Sequence, residues 1–533
     1  MKTIKNHIIS RRFLYTVCFI VLFVIDWTRG SQAGAIWATT INLTGVVMAV
    51  ILLSAYSPKE FFKPVYLIYS AVGIAALLAA YYWWNLHQAA IFVGQLLTVV
   101  LNLWLLGIFV IKMFLDVIVY RTRKIRVCMT EAIAALMLLW MLFSVNEDIW
   151  PGWYLLMFGL FYHTEYKREE RDALKEGMLD GIITSFFLLQ GAAYVFRPYD
   201  SVRYSGIYNN CNMNALFYGI VWVAFLIRLY NIRKTEAQKW KEILCFLFAG
   251  AMMAFALMTG CRTLLLAMIA TGFFYVVFAD FYLLKYRAGR FLRKLAIYAI
   301  VACITIPITF TAARYLPPIF HHPIWYDGEY TVSRVHSFDP WDSEKYVSWE
   351  DYFDMIAGRL KPIWNMIFGE KQEELSVVRA AEEAESSVAE ERNRTVDSSI
   401  QVRIDFWKFY MQDGNLEGHL NDEGHELPDF PGRYIWHAQN TFVQFWYYYG
   451  VPSAILFVVV VVMLVIKSIK KILQGQDEAL ICLLYIVFWA MYGLAESVWY
   501  PGQMILFLTF FTPKFLWETE EHGEKTESTG ELV

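Results

Sequence analysis

The chain is a succession of apolar runs of about 17–25 residues, the length a helix needs to cross a hydrocarbon core of roughly 30 Å. In lipid each such segment satisfies its own backbone hydrogen bonds, so the runs read as transmembrane helices. Composition agrees: 58% of the 533 residues are hydrophobic, 17% are aromatic and only 18% are charged, which is too apolar for a soluble globule. The predicted fold is an all-α polytopic membrane protein of roughly fourteen transmembrane helices, with 12–14 as the range. The spans fall at about 13–27, 34–55, 64–84, 89–114, 127–145, 150–162, 177–196, 213–231, 243–259, 263–284, 295–313, 440–466, 479–498 and 501–517. The first run continues into Asp26-Trp-Thr-Arg29 rather than a small-residue cleavage site, so it reads as a retained helix and not as a signal peptide.

Sidedness follows from where the basic residues sit. Arg11 and Arg12 precede the first span, and Lys59 and Lys63 follow the second. Arg121, Arg123, Lys124 and Arg126 follow the fourth, and Lys167, Arg168, Arg171 and Lys175 follow the sixth. Arg233, Lys234 and Lys239 follow the eighth, Lys285, Arg287, Arg290 and Arg293 the tenth, and Lys467, Lys470 and Lys471 the twelfth. Basic loops after every second span place both termini in the cytoplasm. The short sixth segment is read as crossing, because Glu147 and Asp148 precede it and a basic run follows.

Three stretches then face outward: 197–212, the turn Thr259-Gly-Cys-Arg-Thr263, and a long insertion over 314–439. A connection of that length is generally functional or disordered. The expected organisation is N-terminal helices over 1–174, central helices over 175–313, a large extracytoplasmic loop over 314–439, C-terminal helices over 440–517, and an acidic tail over 518–533. Within the loop, the glutamate-rich 371–398 reads as a solvated helix or disordered arm. The aromatic flanks around Trp325, Trp341 and Trp349 read as folded. The seven cysteines lie mostly in apolar runs without a CxxC pair, so unpaired core thiols are expected and a Cys211–Cys261 bridge is the weaker alternative.

The outward stretches carry residues that a lipid-facing bundle does not need. Arg203 and Arg262 lie at the membrane boundary, where a guanidinium costs a few kcal/mol or more unless it has a partner or a wet cavity. One such arginine is readily explained by snorkelling to headgroup phosphate. Two, joined by Arg403, point instead to a pocket for an anion, because the planar fork binds phosphate oxygens bidentately. His437 stands where the chain re-enters the membrane; alone it is an interfacial residue, and beside an arginine pocket it is a natural general base. The adjacent His321-His322 pair reads as loop surface and not as a metal site, since neighbouring histidines rarely present both rings to one ion.

Three stretches resemble the O-antigen ligase and O-antigen polymerase superfamily. They are Arg203-Tyr-Ser-Gly-Ile-Tyr-Asn-Asn-Cys-Asn212, Thr259-Gly-Cys-Arg-Thr-Leu-Leu265, and Arg403-Ile-Asp-Phe-Trp407 leading to His437-Ala-Gln-Asn440 and Tyr449-Gly-Val-Pro452. The resemblance spans about 175–510, with Gln439 where the family has a second histidine and Cys261 where its central turn has a serine. It implies a GT-C-like, inverting, metal-independent glycosyltransferase with no cofactor, acting on a glycan linked to polyprenyl (undecaprenyl) diphosphate. On that reading Arg203, Arg262 and Arg403 hold the diphosphate and His437 is the catalytic base, with Asn212, Trp407 and Asn440 in support. The partners are the lipid-linked donor, a glycan, lipid or cell-wall acceptor, and membrane lipids, with no nucleic acid; ligase and polymerase stay equally open. The alternative is a transporter or flippase for the same lipid-linked glycan, which should place charges nearer the bilayer midplane.

Overall fold

The computed structural model describes residues 11–31, 35–87, 90–122, 124–125, 127–146, 148–199, 203–208, 210–235, 239–321, 325–326, 332–334, 339–342, 345–368, 400–420, 425–427, 430–435, 437–498 and 504–517. The acidic arm 371–398, the tail 518–533 and His322 lie outside the described residues.

The helices run α1 Arg11–Ser31, α2 Ala35–Leu53, α3 Pro64–His87, α4 Ala90–Phe114, α5 Met129–Leu142, α6 Trp150–His163, α7 Arg168–Phe196, α8 Cys211–Lys234, α9 Lys239–Thr259, α10 Arg262–Tyr275 and α11 Ala288–Ile319. Two short antiparallel strands, β1 Trp325–Tyr326 and β2 Val332–Arg334, precede α12 Trp349–Phe368 and α13 Ile400–Gln412. The hairpin of β3 His425–Leu427 and β4 Phe430–Ile435 follows. The last described elements are α14 Thr441–Tyr448, α15 Val451–Leu473, α16 Ala479–Gly493, α17 Met504–Phe511 and α18 Lys514–Trp517. Among the described residues, eight helices are long and apolar enough to cross a membrane, and four shorter apolar helices accompany them. The protein is a multi-pass membrane protein.

The bundle is held by close helix approach and by ion pairs sealed between helices. α1 packs along α7, α9 lies between α8 and α11, α10 against α16, and α15 against α5 and α16. The α1–α7 contact depends on two glycines one turn apart: a Cβ at Gly177 would lie 2.5 Å from Tyr15 Cβ, and one at Gly181 would lie 2.5 Å from Phe19 Cβ. Small residues at this spacing let backbones approach, which is how membrane helices gain packing without a hydrophobic drive between them. Beside the glycines, Asp180 accepts from Arg12 Nε at 2.6 Å and from Arg228 at 2.5 Å, tying α1, α7 and α8 together. Glu131, another acid within an apolar run, caps its own helix by accepting the Cys128 amide at 2.9 Å.

Several expected spans take a different form. The run 440–466 is not one helix: α14 stops at Tyr448 and α15 begins at Val451, because Gly450 sits at φ +84. A Cβ there would meet the Leu416 carbonyl oxygen at 2.2 Å, so only glycine fits this break. The run 501–517 is likewise divided into α17 and α18. The expected sixth span is α6, a 14-residue helix, about 21 Å long, and not among the eight. α11 continues to Ile319, so Arg314 lies within that helix rather than at the start of the loop. All seven cysteines are free, which removes the Cys211–Cys261 bridge.

The α1–α7 contact is open to direct test. Gly181→Leu should lower unfolding stability by about 1–3 kcal/mol, the usual cost of overpacking, read as a lower midpoint in detergent unfolding of the purified chain. Leu179→Met, a volume-conserving change on the same helix, should leave the midpoint close to the wild-type value.

Candidate functional site

The site is assembled from five segments that are distant in sequence. The first is 203–208, which follows α7. Arg197, buried at its start, donates to the Gly206 carbonyl at 2.9 Å, and Gly206 turns the chain at φ +56 with no room for a side chain against Asn214. The Tyr204 amide donates to the Met258 carbonyl at 2.9 Å, and burial pushes the Tyr204 hydroxyl up to about 12. The segment is thereby fixed to the end of α9.

Arg203 projects from this fixed segment. Its Nε donates to the Thr259 carbonyl at 2.8 Å and an NH2 group to Asn212 Oδ1 at 2.6 Å. Thr259 ends α9, where the helix dipole favours a cation. The arginine stem crosses Gly260, whose Cβ would lie 3.5 Å from Arg203 Cγ and 3.2 Å from Met355 Sδ of α12. Gly260 is left-handed at φ +58, so α9 turns into α10 through only Gly260 and Cys261 and delivers Arg262 at the first position of α10. Arg262 thus stands two residues beyond the glycine that the Arg203 stem crosses.

Glu496 organises this locus. Its Oε1 accepts from Arg403 at 3.3 Å and from Asn212 Nδ2 at 3.3 Å. Arg403 also donates to the Ala495 carbonyl, and Asn212 accepts the Tyr492 hydroxyl at its own carbonyl, 2.7 Å away. Asn212 is itself placed by Asn210, which caps α8 by accepting the Asn212 amide at 2.8 Å. Trp407 lies one turn along α13 from Arg403, half-buried against the core. Glu496 therefore pairs directly with Arg403 and is linked to Arg203 through Asn212.

The fifth segment carries His437 and Asn440. Asn440 caps α14, accepting the Val443 amide at 3.1 Å, and donates to the Leu494 carbonyl at 2.8 Å. Thr441 donates to the Glu496 carbonyl at 3.0 Å and accepts the Val498 amide at 3.0 Å. Ala438 donates to Gln444 Oε1 at 2.9 Å, and Gln439 between them is left-handed at φ +49. His437, half-buried, stands at the head of this turn. His437 is tied to the arginine locus through the 494–498 segment, which Asn440 and Thr441 bond three and four residues further on. Gln439, where the resembled family has a histidine, takes the strained backbone position of the turn. No cluster of three or more metal-ligating side chains occurs among the described residues.

Chemically the locus links Arg203 and Arg403 through Asn212 and Glu496, with Arg262 beside them at the start of α10. Such an arrangement suits a multiply charged, oxygen-rich anion. Glu496 and Tyr492 were missed from the sequence as site residues. The signal available was position: Ala495-Glu-Ser-Val-Trp-Tyr-Pro501 interrupts two apolar runs on the side where His437 re-enters.

Glu496→Ala should lower unfolding stability by about 1–3 kcal/mol, because it removes the acceptor shared by Arg403 and Asn212, measured as a lower melting temperature in detergent. Inorganic pyrophosphate should recover part of that loss in the variant by filling the vacated charge. No family model, curated protein or solved structure matches this chain, so its own side chains carry the functional reading.

Proposed function

We propose that the protein is a membrane glycosyltransferase that moves a glycan from a polyprenyl-diphosphate carrier to an acceptor hydroxyl, in the manner of the O-antigen ligases and polymerases it resembles. The observation that carries this reading is the hydrogen-bonded chain Arg203–Asn212–Glu496–Arg403, with Arg262 delivered beside it at the first position of α10. A diphosphate ester supplies the negative charge that such a locus accommodates. The sidedness that goes with this reading puts both termini in the cytoplasm of a bacterial cell, about fourteen crossings in its plasma membrane, and the site on the outer face.

In the reaction, the acceptor oxygen forms a bond to the anomeric carbon while the bond from that carbon to the phosphate oxygen breaks. The electron pair of the broken bond leaves with the polyprenyl diphosphate, where the guanidiniums offset the developing charge. Preorganised donors of this kind contribute about 2.7–4 kcal/mol each to lowering a barrier. The acceptor proton passes to the His437 imidazole, a step worth about 10²–10⁴-fold. Direct attack inverts the anomeric configuration. The arginines supply the positive charge that this chemistry needs, so no metal is required. Asn212 and Asn440 keep the arms in place, and Trp407 backs Arg403.

Membranes carrying the wild-type chain should transfer glycan from a polyprenyl-diphosphate donor. Arg262→Ala should reduce the rate about 10²–10³-fold, and His437→Ala about 10²–10⁴-fold, with expression and melting temperature unchanged. Full activity in either variant would remove that residue from the mechanism. Glycan length in a deletion strain identifies the acceptor: single repeat units accumulate if a polymerase is lost, long unattached chains if a ligase is lost.

A further inference from the structure

α13 and α14 lie side by side and run in the same direction, and two anchors fix their register. At one end Arg403 donates to the Glu496 carboxylate at 3.3 Å while Thr441 donates to the Glu496 carbonyl at 3.0 Å. At the other the Tyr410 and Tyr447 rings meet edge to face, with centroids 4.9 Å apart. Trp407 stands four residues after Arg403 and three before Tyr410, and Gln444 stands three after Thr441 and three before Tyr447. Each shares a helix face with its own two anchors, so the pair occupies one level between the helices.

Both side chains keep a buried N–H unspent. Trp407 Nε1 and Gln444 Nε2 have no hydrogen-bond acceptor among the described residues, and Gln444 is fully buried. The Gln444 carboxamide cannot turn over to relieve this. Its Oε1 accepts the Ala438 amide at 2.9 Å, a backbone N–H that can only donate, and the Ser497 hydroxyl at 3.3 Å. Those bonds attach Gln444 to the residue after His437 and to the residue after Glu496, which holds its N–H beside both. A buried donor without an acceptor is costly, and two at one level of one helix pair mark a place that a ligand oxygen completes. A third unpaired donor on these helices, Trp446 Nε1, differs in kind: a Cβ on Gly414 would lie 1.8 Å from it, so backbone closes it off.

The two donors are neutral, which suits hydroxyl and ring oxygens rather than phosphate. The half-buried Trp407 indole adds a flat apolar surface on which the C–H face of a sugar ring can rest. Trp407 lies about 6 Å along the α13 axis from Arg403 at 1.5 Å per residue, so a ring held there is a near neighbour of a diphosphate held by the arginines. We infer that Trp407 and Gln444 form a saccharide subsite, their two N–H groups donating to oxygens of one sugar ring, either of the glycan that is transferred or of the glycan that accepts it. On the glycosyl-transfer reading, on which this subsite rests, it supplies the sugar recognition that the arginines do not.

The test uses the full chain, fluorotryptophan-labelled and in detergent, with methyl pyranosides of glucose, galactose, mannose and N-acetylglucosamine as probes. At least one glycoside should move the Trp407 fluorine resonance, which is assigned by its loss in Trp407→Phe. In the transfer assay Gln444→Glu, whose carboxylate still accepts from Ala438 and Ser497 but no longer donates, should raise KM about 3–10-fold, the loss of one neutral hydrogen bond. Trp407→Phe, which keeps an aromatic ring and breaks no bond in the free protein, should do the same. In both, kcat should stay close to the wild-type value, because the bonds are made to the bound sugar and not only in the transition state. The substrate whose KM rises, lipid-linked donor or acceptor, is the one the subsite holds. Lys408→Gln, on the exposed side of α13, should leave KM unchanged. A Trp407 resonance unmoved by every glycoside, the result if ordered water satisfies both donors, overturns the subsite, and so does a lower melting temperature in the variants with KM unchanged. A chain that binds the glycosides at Trp407 and transfers no glycan keeps the subsite and loses the transferase reading; one that transfers glycan with wild-type KM in both variants does the reverse.

Discussion

A guanidinium at the end of an apolar bundle stays there only if something accepts its hydrogen bonds, and this protein solves that problem in three distinct ways. Arg197 and Arg314 are satisfied chiefly by backbone carbonyls: Arg314 donates to Val347 at 2.8 Å and to Pro340 at 2.9 Å, Arg197 to Gly206 at 2.9 Å. Each thereby secures an irregular segment to a helix end. Arg12, Arg228 and Arg233 are satisfied by carboxylates on neighbouring helices, with Arg233 bridging Glu242 at 2.8 Å and Asp280 at 2.6 Å. Arg203 and Arg403 combine the two: each donates to a backbone carbonyl, at Thr259 and Ala495, and the pair is joined through Asn212 and the Glu496 carboxylate. The first two solutions hold segments and helices in place. The third joins α8, α13 and the 494–498 segment at one point.

The placement of these arginines is a backbone achievement before it is an electrostatic one. Gly206, Gly260 and Gly450 all sit at positive φ, and each stands where a helix ends or begins next to the site. Gly260 compresses the α9–α10 connection to two residues, which sets Arg262 at the start of α10 beneath the Arg203 stem. A longer connection would carry Arg262 away from Thr259 and from the other guanidiniums. Left-handed glycine is the least strained way to turn a chain so sharply.

Much of this was readable in the sequence, and the rest was hidden for physical reasons. Apolar run length gave the helices, because lipid leaves the backbone few alternatives. It ran past the interruption at Gly450, because α14 and α15 are both apolar; the signal was Gly450-Val-Pro452, with a left-handed glycine before the helix and proline in its first turn, and packing against Leu416 keeps the break in place. Arg203, Arg262 and Arg403 were recognisable as misplaced charges near the boundary. Glu496 was not, because a lone acid in an apolar run looks the same whether it pairs locally, as Glu131 does with its own helix start, or collects partners from α8 and α13. Three-dimensional convergence is the information that a linear chain withholds.

Arg403 and His437 lie on opposite sides of the β3–β4 hairpin, yet one packed unit positions both. After α13 the chain runs through Gly414 and Gly418: a Cβ at Gly414 would strike the Trp446 ring nitrogen at 1.8 Å, and one at Gly418 the Tyr448 carbonyl oxygen at 2.2 Å. Gly450 reciprocates by resting on Leu416, the Val451 amide donates to the Asn415 carbonyl at 2.9 Å, and the His419 amide to Tyr448 at 3.3 Å. At Gly418 and Gly450 the opposing atoms belong to backbone, so no flexible side chain can yield to let the two segments slide. α13 and α14 are therefore locked together, the first carrying Arg403 and the second following directly on His437. Glu496 and its neighbours then bind both ends of the unit, accepting from Arg403 on one side and from Thr441 on the other. The distance between the arginine cluster and the histidine is thus set by membrane-proximal packing, and not by the course of the chain between Phe368 and Ile400.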